Sequence, residues 1–340
     1  KINVNIPFCK KIVIYVIFPI NGLNDSHLNT INYFFKKKYS VLVISNRKLY
    51  QEDKKKIKTT SWALIERENY GYDFGGWRDG IIFLKEQLKS IENLILINDS
   101  TWFPINKGND FVDFIAESNL DFIGATSHYG LERFHLPRDK ESLKSEIKFS
   151  HKKANFYYSS YVLSFSNRIL NDDKFLKFWK RMRLSNKYNV IVRNGEIGIS
   201  QWVFKNGGYT HGSLIDSSQI SQVLNKFSKE KLFEISQNLI VDSYELKNFM
   251  NSFSSSIESF SKGELISYIM TIVSKQIIVF SLADFLVREL NFPFLKKRIF
   301  NLDKDCALKG KKIVESLTEE VKKNIFLEIN RNSNLNKFLN

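Results

Sequence analysis

Two polar clusters hold residue types able to bind a phosphorylated ligand. The first is RENYGYDFGGWRDG, with Arg67, Asn69, Gly71, Asp73 and Arg78; the second is Asn98-Asp99-Ser100, closing the apolar run LILI. Glycines allow a backbone to approach a ligand closely, and a helix N-terminus favours phosphate. Arg67 and Arg78 suit bidentate contacts with a diphosphate. An acid at a strand end, here Asp99 flanked by Asn98 and Ser100, can bridge Mg2+ or Mn2+ to that diphosphate, or hydrogen-bond directly to a ribose or sugar. Each cluster alone has an ordinary reading. Gly75-Gly76 can be a turn, Asn-Asp-Ser a helix cap, and Asp73 the cap of a helix starting near Gly75.

The surrounding elements bring the two clusters together. Ile12 to Phe18, Val41 to Ser45, Leu94 to Ile97 and Phe122 to Ala125 are short, apolar and β-rich, the pattern of strands buried on both faces of a parallel sheet. Helical periodicity lies between them: Leu28, Ile31 and Phe34 mark one helix, and Trp77, Ile81, Leu84 and Leu88 another. Tyr161 to Phe165 adds a strand. A helix with Phe175, Phe178, Trp179 and Met182 on one face follows, with Asp172 and Asp173 at its start. A further helix begins near Gly195 and is expected to stop at Gly207-Gly208. Alternating strands and helices imply an α/β fold with a mostly parallel sheet between helices. Ligands of such sheets bind at the carboxyl ends of strands, so both clusters fall on one rim. From about Ser217 no strand is legible, and Ser252 to Ser261 reads as a connector. The expected organisation is residues 1–216 as a nucleotide-binding α/β domain and 217–340 as a helical extension.

With 340 residues, 43% of them hydrophobic, the chain has ample material for a core. Its formal net charge of +15 calls for anionic partners. No helix-turn-helix, zinc or single-strand module is present, so nucleic acid is not expected. Cys9 and Cys306 lie near opposite ends without a Cys or His at metal spacing, which fits a reducing cytoplasm better than a disulfide framework. Residues 1–10 hold no apolar leader. Leu265 to Leu290 is broken by Lys275, Gln276 and Asp284, so it reads as buried or interfacial rather than spanning.

Other groups could join a site. His211 could ligate a metal or contact phosphate, though a lone loop His is commonly structural. His128 and His135 flank a charged, aromatic loop, Tyr129 to Arg138, that could border an acceptor or be solvated surface. Phe292 to Arg298, with Lys309, Lys311 and Lys312, sets aromatics beside cations. This suits docking on an anionic membrane surface or a solvated helix end.

The layout is similar to the donor half of GT-A glycosyltransferases. More closely, the chain resembles the rhamnan synthesis protein F family of bacterial polysaccharide-assembly glycosyltransferases. The resemblance rests on Asn69 to Gly75, Leu96 to Ser100 with Pro104, Asp121 to Gly124, Ser160-Tyr161 to Phe165, Phe175 to Trp179, Glu196 to Gln201 with Gly208-Tyr209, and Phe292 to Lys296. It departs at Tyr157-Tyr158-Ser159, where the family carries a His and a Gln. The resemblance implies a GT-A-type Rossmann-like sheet and transfer of a sugar such as rhamnose from a nucleotide-diphosphate donor. The acceptor would be a lipid-linked or polysaccharide chain destined for the cell surface, met in the cytoplasm or on the inner face of its membrane. It further implies an inverting mechanism with Glu196 as base; because Asn98-Asp99-Ser100 carries a single acid, it leaves metal dependence open, with Asp99 and His211 the candidate ligands of a Mg2+ or Mn2+ ion. The alternative is a carbohydrate-binding assembly subunit that keeps the fold without turnover. Glu at a helix start is also ordinary dipole chemistry.

Overall fold

The computed structural model describes all residues other than 1, 4–5, 129–134, 144–151, 153, 155, 207 and 340. Its strands are β1 (Lys11–Ile17), β2 (Ser40–Ser45), β3 (Ala63–Glu66), β4 (Asn93–Asn98), β5 (Thr101–Trp102), β6 (Phe122–His128), β7 (Tyr157–Tyr158), β8 (Val162–Ser166), β9 (His211–Ile215) and β10 (Leu295–Lys296). An eight-stranded sheet has the order β3-β2-β1-β4-β8-β6-β7, with β9 beside β6, while β5 and β10 form a separate pair.

Side chains alternate across a strand, so each central strand feeds two cores. Val13, Tyr15, Ile95 and Ile97 enter one apolar cluster, in which Ile31 and Phe34 of helix α1 (Asp25–Lys36) and Ile57 of α2 (Gln51–Lys58) also pack. Ile12, Ile14, Leu94 and Leu96 enter the other, under Trp77 and Ile81 of α3 (Tyr72–Phe83) and under Phe175 and Trp179. Burial on both faces explains why these strands read as unbroken apolar runs. The result is a mixed α/β fold, a central sheet flanked by helices.

The sheet is mostly parallel, with two strands reversed. β1 to β4, β6 and β9 run one way, but β8 lies antiparallel between β4 and β6, and β7 is antiparallel to β6. Val162, Leu163 and Phe165 are buried, and an apolar run looks the same in either direction. β9 and the two-residue β5 and β7 are too short or too polar to announce themselves. So is β10, which places a strand after Ser217 where none was legible. Gly207, half of the expected helix stop, and most of the Tyr129 to Arg138 loop lie outside the described residues. The helix concerned ends at Lys205.

Beyond Ile215 the described chain is helical apart from β10. The expected connector, Ser252 to Ser261, overlaps the end of the helix Tyr244–Phe253 and contains a short 3-10 turn, Ile257–Ser259; Ser261 caps the helix Lys262–Lys275 in a capping box with Glu264. That helix and Ala283–Glu289 are buried core helices. Among the described residues no helix is long and apolar enough to cross a membrane.

The extension packs on the same face of the sheet as α1: Phe285, Leu286, Phe294 and Phe300 share a cluster with Tyr15 and Ile97. Phe292 and Phe294 are buried to 0% and 1% exposure, which removes them from any membrane-docking surface. Their apolar rings gain more in the core than beside the neighbouring cations. Phe294 stacks on Phe103 at 4.3 Å and meets Tyr161 edge-on at 5.4 Å, joining the extension to the sheet. Phe294→Ala should therefore cost about 3–5 kcal/mol, read as a lower urea midpoint, and Phe294→Leu substantially less.

Candidate active site

Where β4 ends and β8 begins, the carboxyl rim opens into a cleft of about 550 Å³. Asn98, Ser100, Ser160 and Tyr161 form its floor, and Asp73 in the first turn of α3 forms one wall. Tyr188, Val192 and Glu196 form a second wall, and Asp242, Phe280, Lys296 and Arg298 of the extension a third.

Local packing positions each group. Trp77 donates its indole N–H to the Ile97 carbonyl at 3.3 Å, fixing α3 against the end of β4. Glu196 lies in a π-helical stretch, Val192–Ile197, a distortion often found at functional sites. A side chain on Gly195 would place its Cβ 2.6 Å from the Phe74 ring. Glycine thus lets the π-helical stretch rest on the start of α3, and Glu196 enters the cleft that Asp73 also lines.

Glu196 Oε1 accepts from the Ser160 backbone N–H at 2.7 Å and its hydroxyl at 2.8 Å. Burial raises the Glu196 carboxyl above its ordinary range, against the opposing pull of the Ser160 bonds and the Lys296 charge. Asp73 is pushed up to about 7, first by burial and then by the charge of Asp99, with Lys296 and Asn98 opposing. Lys296 is held down to about 8 by burial, although Glu196 and Asp73 favour its charged form. Three mutually dependent titrating groups therefore face one cavity, a pattern typical of functional sites.

A hydrogen-bond chain runs beneath them. Lys296 Nζ donates to Ser100 Oγ at 3.0 Å, and that hydroxyl donates to Asn98 Oδ1 at 2.6 Å. Asn98 Nδ2 in turn donates to Asp73 Oδ2 at 2.7 Å. The second polar cluster thus holds the groups that line the cleft.

The other expected site residues are placed elsewhere. Arg67 is a brace: Nε bonds Asp79, Nη1 bonds Asn46 and Nη2 bonds the Tyr70 carbonyl, at 2.7, 2.7 and 2.8 Å. Asn69 accepts from Asn46, and Gly71 N–H donates to Asn186. Arg78 points to the Lys180 carbonyl. None of these four lines the cleft. Asp99 Oδ2 accepts from the Phe18 N–H at 2.7 Å and from His27 Nε2 at 3.1 Å. His27 Nδ1 accepts from the Asn24 N–H, so the proton sits on Nε2 and is given to Asp99. Burial acts to raise the Asp99 carboxyl, but the His27 bond and charge, with Lys297 and Phe18, hold it below the ordinary range.

His211 pairs with Phe122, level with Phe165 and hence with Leu94. Asp99 lies five residues further along β4, about 16 Å at ~3.3 Å per residue. The two belong to opposite rims and cannot share an ion. His211 Nδ1 meets the Tyr158 hydroxyl at 2.8 Å instead. His128 lines the cleft against Tyr157, with burial holding its imidazole down to about 4, whereas His135 is exposed.

Sequence reasoning missed Ser160 and Tyr161 as floor, Tyr188 as wall, and above all Lys296. The signal for Lys296 was present in the stretch Phe292 to Lys296, taken there for a surface.

The rhamnan synthesis protein F model matches residues 41–277, which hold the sheet from β2 to β9 without its central strand β1, and most of the cleft. The chain belongs to the rhamnan synthesis protein F family. It is 26% identical over 313 residues to "Uncharacterized protein y4gN" of Sinorhizobium fredii, covering 91% of this chain and 75% of that one. Among solved structures it is similar to core-mannan synthase A of Aspergillus fumigatus in its Mn/GDP form, at 9% identity and TM-score 0.28, with 54% and 65% of the two chains covered. It is similar too to the mannosyltransferase Ktr4p of S. cerevisiae, at 8% identity and TM-score 0.27, over 53% and 62%. The chain thus spans under two thirds of either mannosyltransferase.

The residues at the rim do not fit a divalent ion. An ion that bridges a diphosphate is held by one or two free carboxylates together with the phosphates. Here Asp99 is engaged by His27 and Phe18, an ammonium group stands beside Ser100, and His211 is on the other rim. Among the described residues no group of three or more His, Cys, Asp or Glu is placed to hold a metal.

Asp73 leaves a thermodynamic signature. Its folded value near 7 lies above that of an unfolded Asp, about 3.9. The folded state therefore binds this proton more tightly, and the contribution of Asp73 to stability falls as pH rises from about 4 to 7. Asp73→Asn should melt several degrees above the wild-type protein at pH 8, and the gap should close towards pH 4. Thermal melts across that range check it; equal slopes for the two proteins would refute it.

Proposed function

We propose that this chain is a glycosyltransferase of GT-A layout. It moves a sugar, rhamnose being the expected one, from a nucleotide-diphosphate donor to a hydroxyl of a lipid-linked or polysaccharide acceptor in bacterial surface-polysaccharide assembly. The carrying observation is Glu196, a carboxylate fixed by two bonds from Ser160 in a cleft large enough for a sugar donor. Family membership supports the same reading.

The reaction is a single displacement. Glu196 takes the proton of the acceptor hydroxyl as its oxygen bonds the anomeric carbon. The bond from that carbon to the diphosphate breaks, and its electron pair leaves on the diphosphate oxygen. Ser160 holds the base in place, so little orientation is lost on reaching the transition state. A carboxyl raised by burial is a stronger base than a solvated one. Tyr72, Tyr157 and Tyr188 place aromatic rings on the cleft walls, a usual means of holding a sugar.

A screen of nucleotide sugars for transfer or hydrolysis tests the reading. With the active donor, Glu196→Gln should lower kcat by about 10²–10⁴-fold while leaving donor affinity near the wild-type value. Because the base acts as its carboxylate, kcat should also fall on the acidic side of the raised Glu196 value. Full transfer by Glu196→Gln would remove Glu196 from the mechanism. A wild-type protein that binds donors without turnover would be an assembly subunit.

A further inference from the structure

A diphosphate leaving group brings negative charge into a cleft that already holds Asp73 and Glu196, so a cation must meet it. The candidates on the cleft walls are Lys275, Lys296 and Arg298. Arg298 is exposed, with Nη2 3.6 Å from Asp242 and its guanidinium over the Phe280 ring. Lys275 stands at the last turn of its helix.

Lys296 is built in. Its residue is a rung of β10, paired with Thr101 just past the end of β4, and the next N–H, of Lys297, donates to the Ser100 carbonyl at 3.1 Å. The ammonium lies over the Tyr161 ring at 4.4 Å, an arrangement that favours the cation. It gives one proton to Ser100, while an ammonium carries three. Among the described residues it makes no ion pair, so two N–H groups are available to oxygens of an incoming ligand. The acid of the strand end, Asp99, is meanwhile directed to His27 and Phe18.

We propose that Lys296 is the cation that binds the donor's diphosphate, occupying the place a divalent ion would take, with Ser100 and Asn98 as the residues that position it. The inference rests on the glycosyl-transfer reading and deepens it. When the anomeric carbon–oxygen bond breaks, Lys296 meets the charge arriving on the diphosphate oxygen, and no metal is required for binding or departure. The Asn98-Asp99-Ser100 cluster is then divided in role. Asn98 and Ser100 hold the lysine, and Asp99 ties β4 to the end of β1 and to α1.

The test is calorimetric titration of the full chain with UDP, GDP, CDP and dTDP, first in excess EDTA and then with Mn2+. The expected result is binding of at least one nucleotide in EDTA, little changed by Mn2+. Lys296→Met, which keeps the side-chain volume, should weaken that binding about tenfold to a hundredfold, the usual size for a lost charge-assisted bond. Lys296→Arg should recover part of it. Ser100→Ala leaves the charge and loosens its position, so it should weaken binding a few-fold with an unchanged melting temperature. This separates loss of the cation from loss of the fold. Wild-type binding that requires Mn2+, or binding in EDTA that survives Lys296→Met, overturns the inference and leaves the glycosyl-transfer reading standing. Absence of binding for every nucleotide in both conditions overturns that reading and the inference with it.

Discussion

The cleft depends on a two-rung ladder. Leu295 and Lys296 pair antiparallel with Trp102 and Thr101, immediately beyond the strand that ends in Asn98. Those rungs bring a cation from the far end of the chain beside two carboxylates from its first two hundred residues. Such a short ladder is weak alone, since an isolated pair of strands is marginal in water. Apolar packing on either side holds it: Leu295 is fully buried, Phe294 stacks on Phe103, and Trp102 meets Phe300 edge-on at 5.4 Å. Trp102 also donates its indole N–H to Glu328, which accepts from Lys297 at 2.7 Å. A buried ion pair adds little net stability but fixes register. Here it sits beside the residue whose register decides where the cleft cation goes.

This dependence explains why the extension cannot be treated as an appendage. A division at 216/217 separates the sheet from the later helices, yet one apolar cluster crosses that point and one wall of the cleft comes from beyond it. The extension closes one side of the cleft and brings in Lys296, whose charge acts on both Asp73 and Glu196.

Much of the fold was legible, because burial on both sheet faces writes continuous apolar runs and α3 writes Trp77, Ile81 and Leu84 at helical spacing. Strand direction was not, since Val162 to Phe165 is equally apolar either way. Of the residues expected at the site, Asp73, Asn98 and Ser100, read from type and position, and Glu196, taken from the family resemblance, line the cleft. Arg67 and Arg78 were misplaced, because a guanidinium suited to phosphate is equally suited to carbonyls and carboxylates of its own fold. The choice depends on contacts with Asn46, Asp79 and Lys180 that are distant in sequence. Lys296 was hidden for the same reason. A lysine after Phe-Pro-Phe-Leu reads as surface until the pairing with Thr101 turns it inward.

The charges at the rim also constrain one another. Two carboxylates facing one cavity would repel an anionic donor and, unneutralised, would each gain from taking up a proton. Lys296 changes both terms, because its positive charge lowers Asp73 and Glu196 while their negative charges raise it. Burial then limits the exchange, leaving Asp73 near 7 and Lys296 near 8, close enough that the protonation of one depends on the other. A diphosphate entering beside Lys296 favours the protonated lysine, so the cation is most secure when the ligand needs it. The same ligand raises Glu196 further, strengthening it as a base at the cost of a smaller ionised fraction. The Ser160 bonds oppose that loss, since both stabilise the carboxylate form. The serine pair thus opposes, at Glu196, the protonation that burial and the donor's own charge both favour.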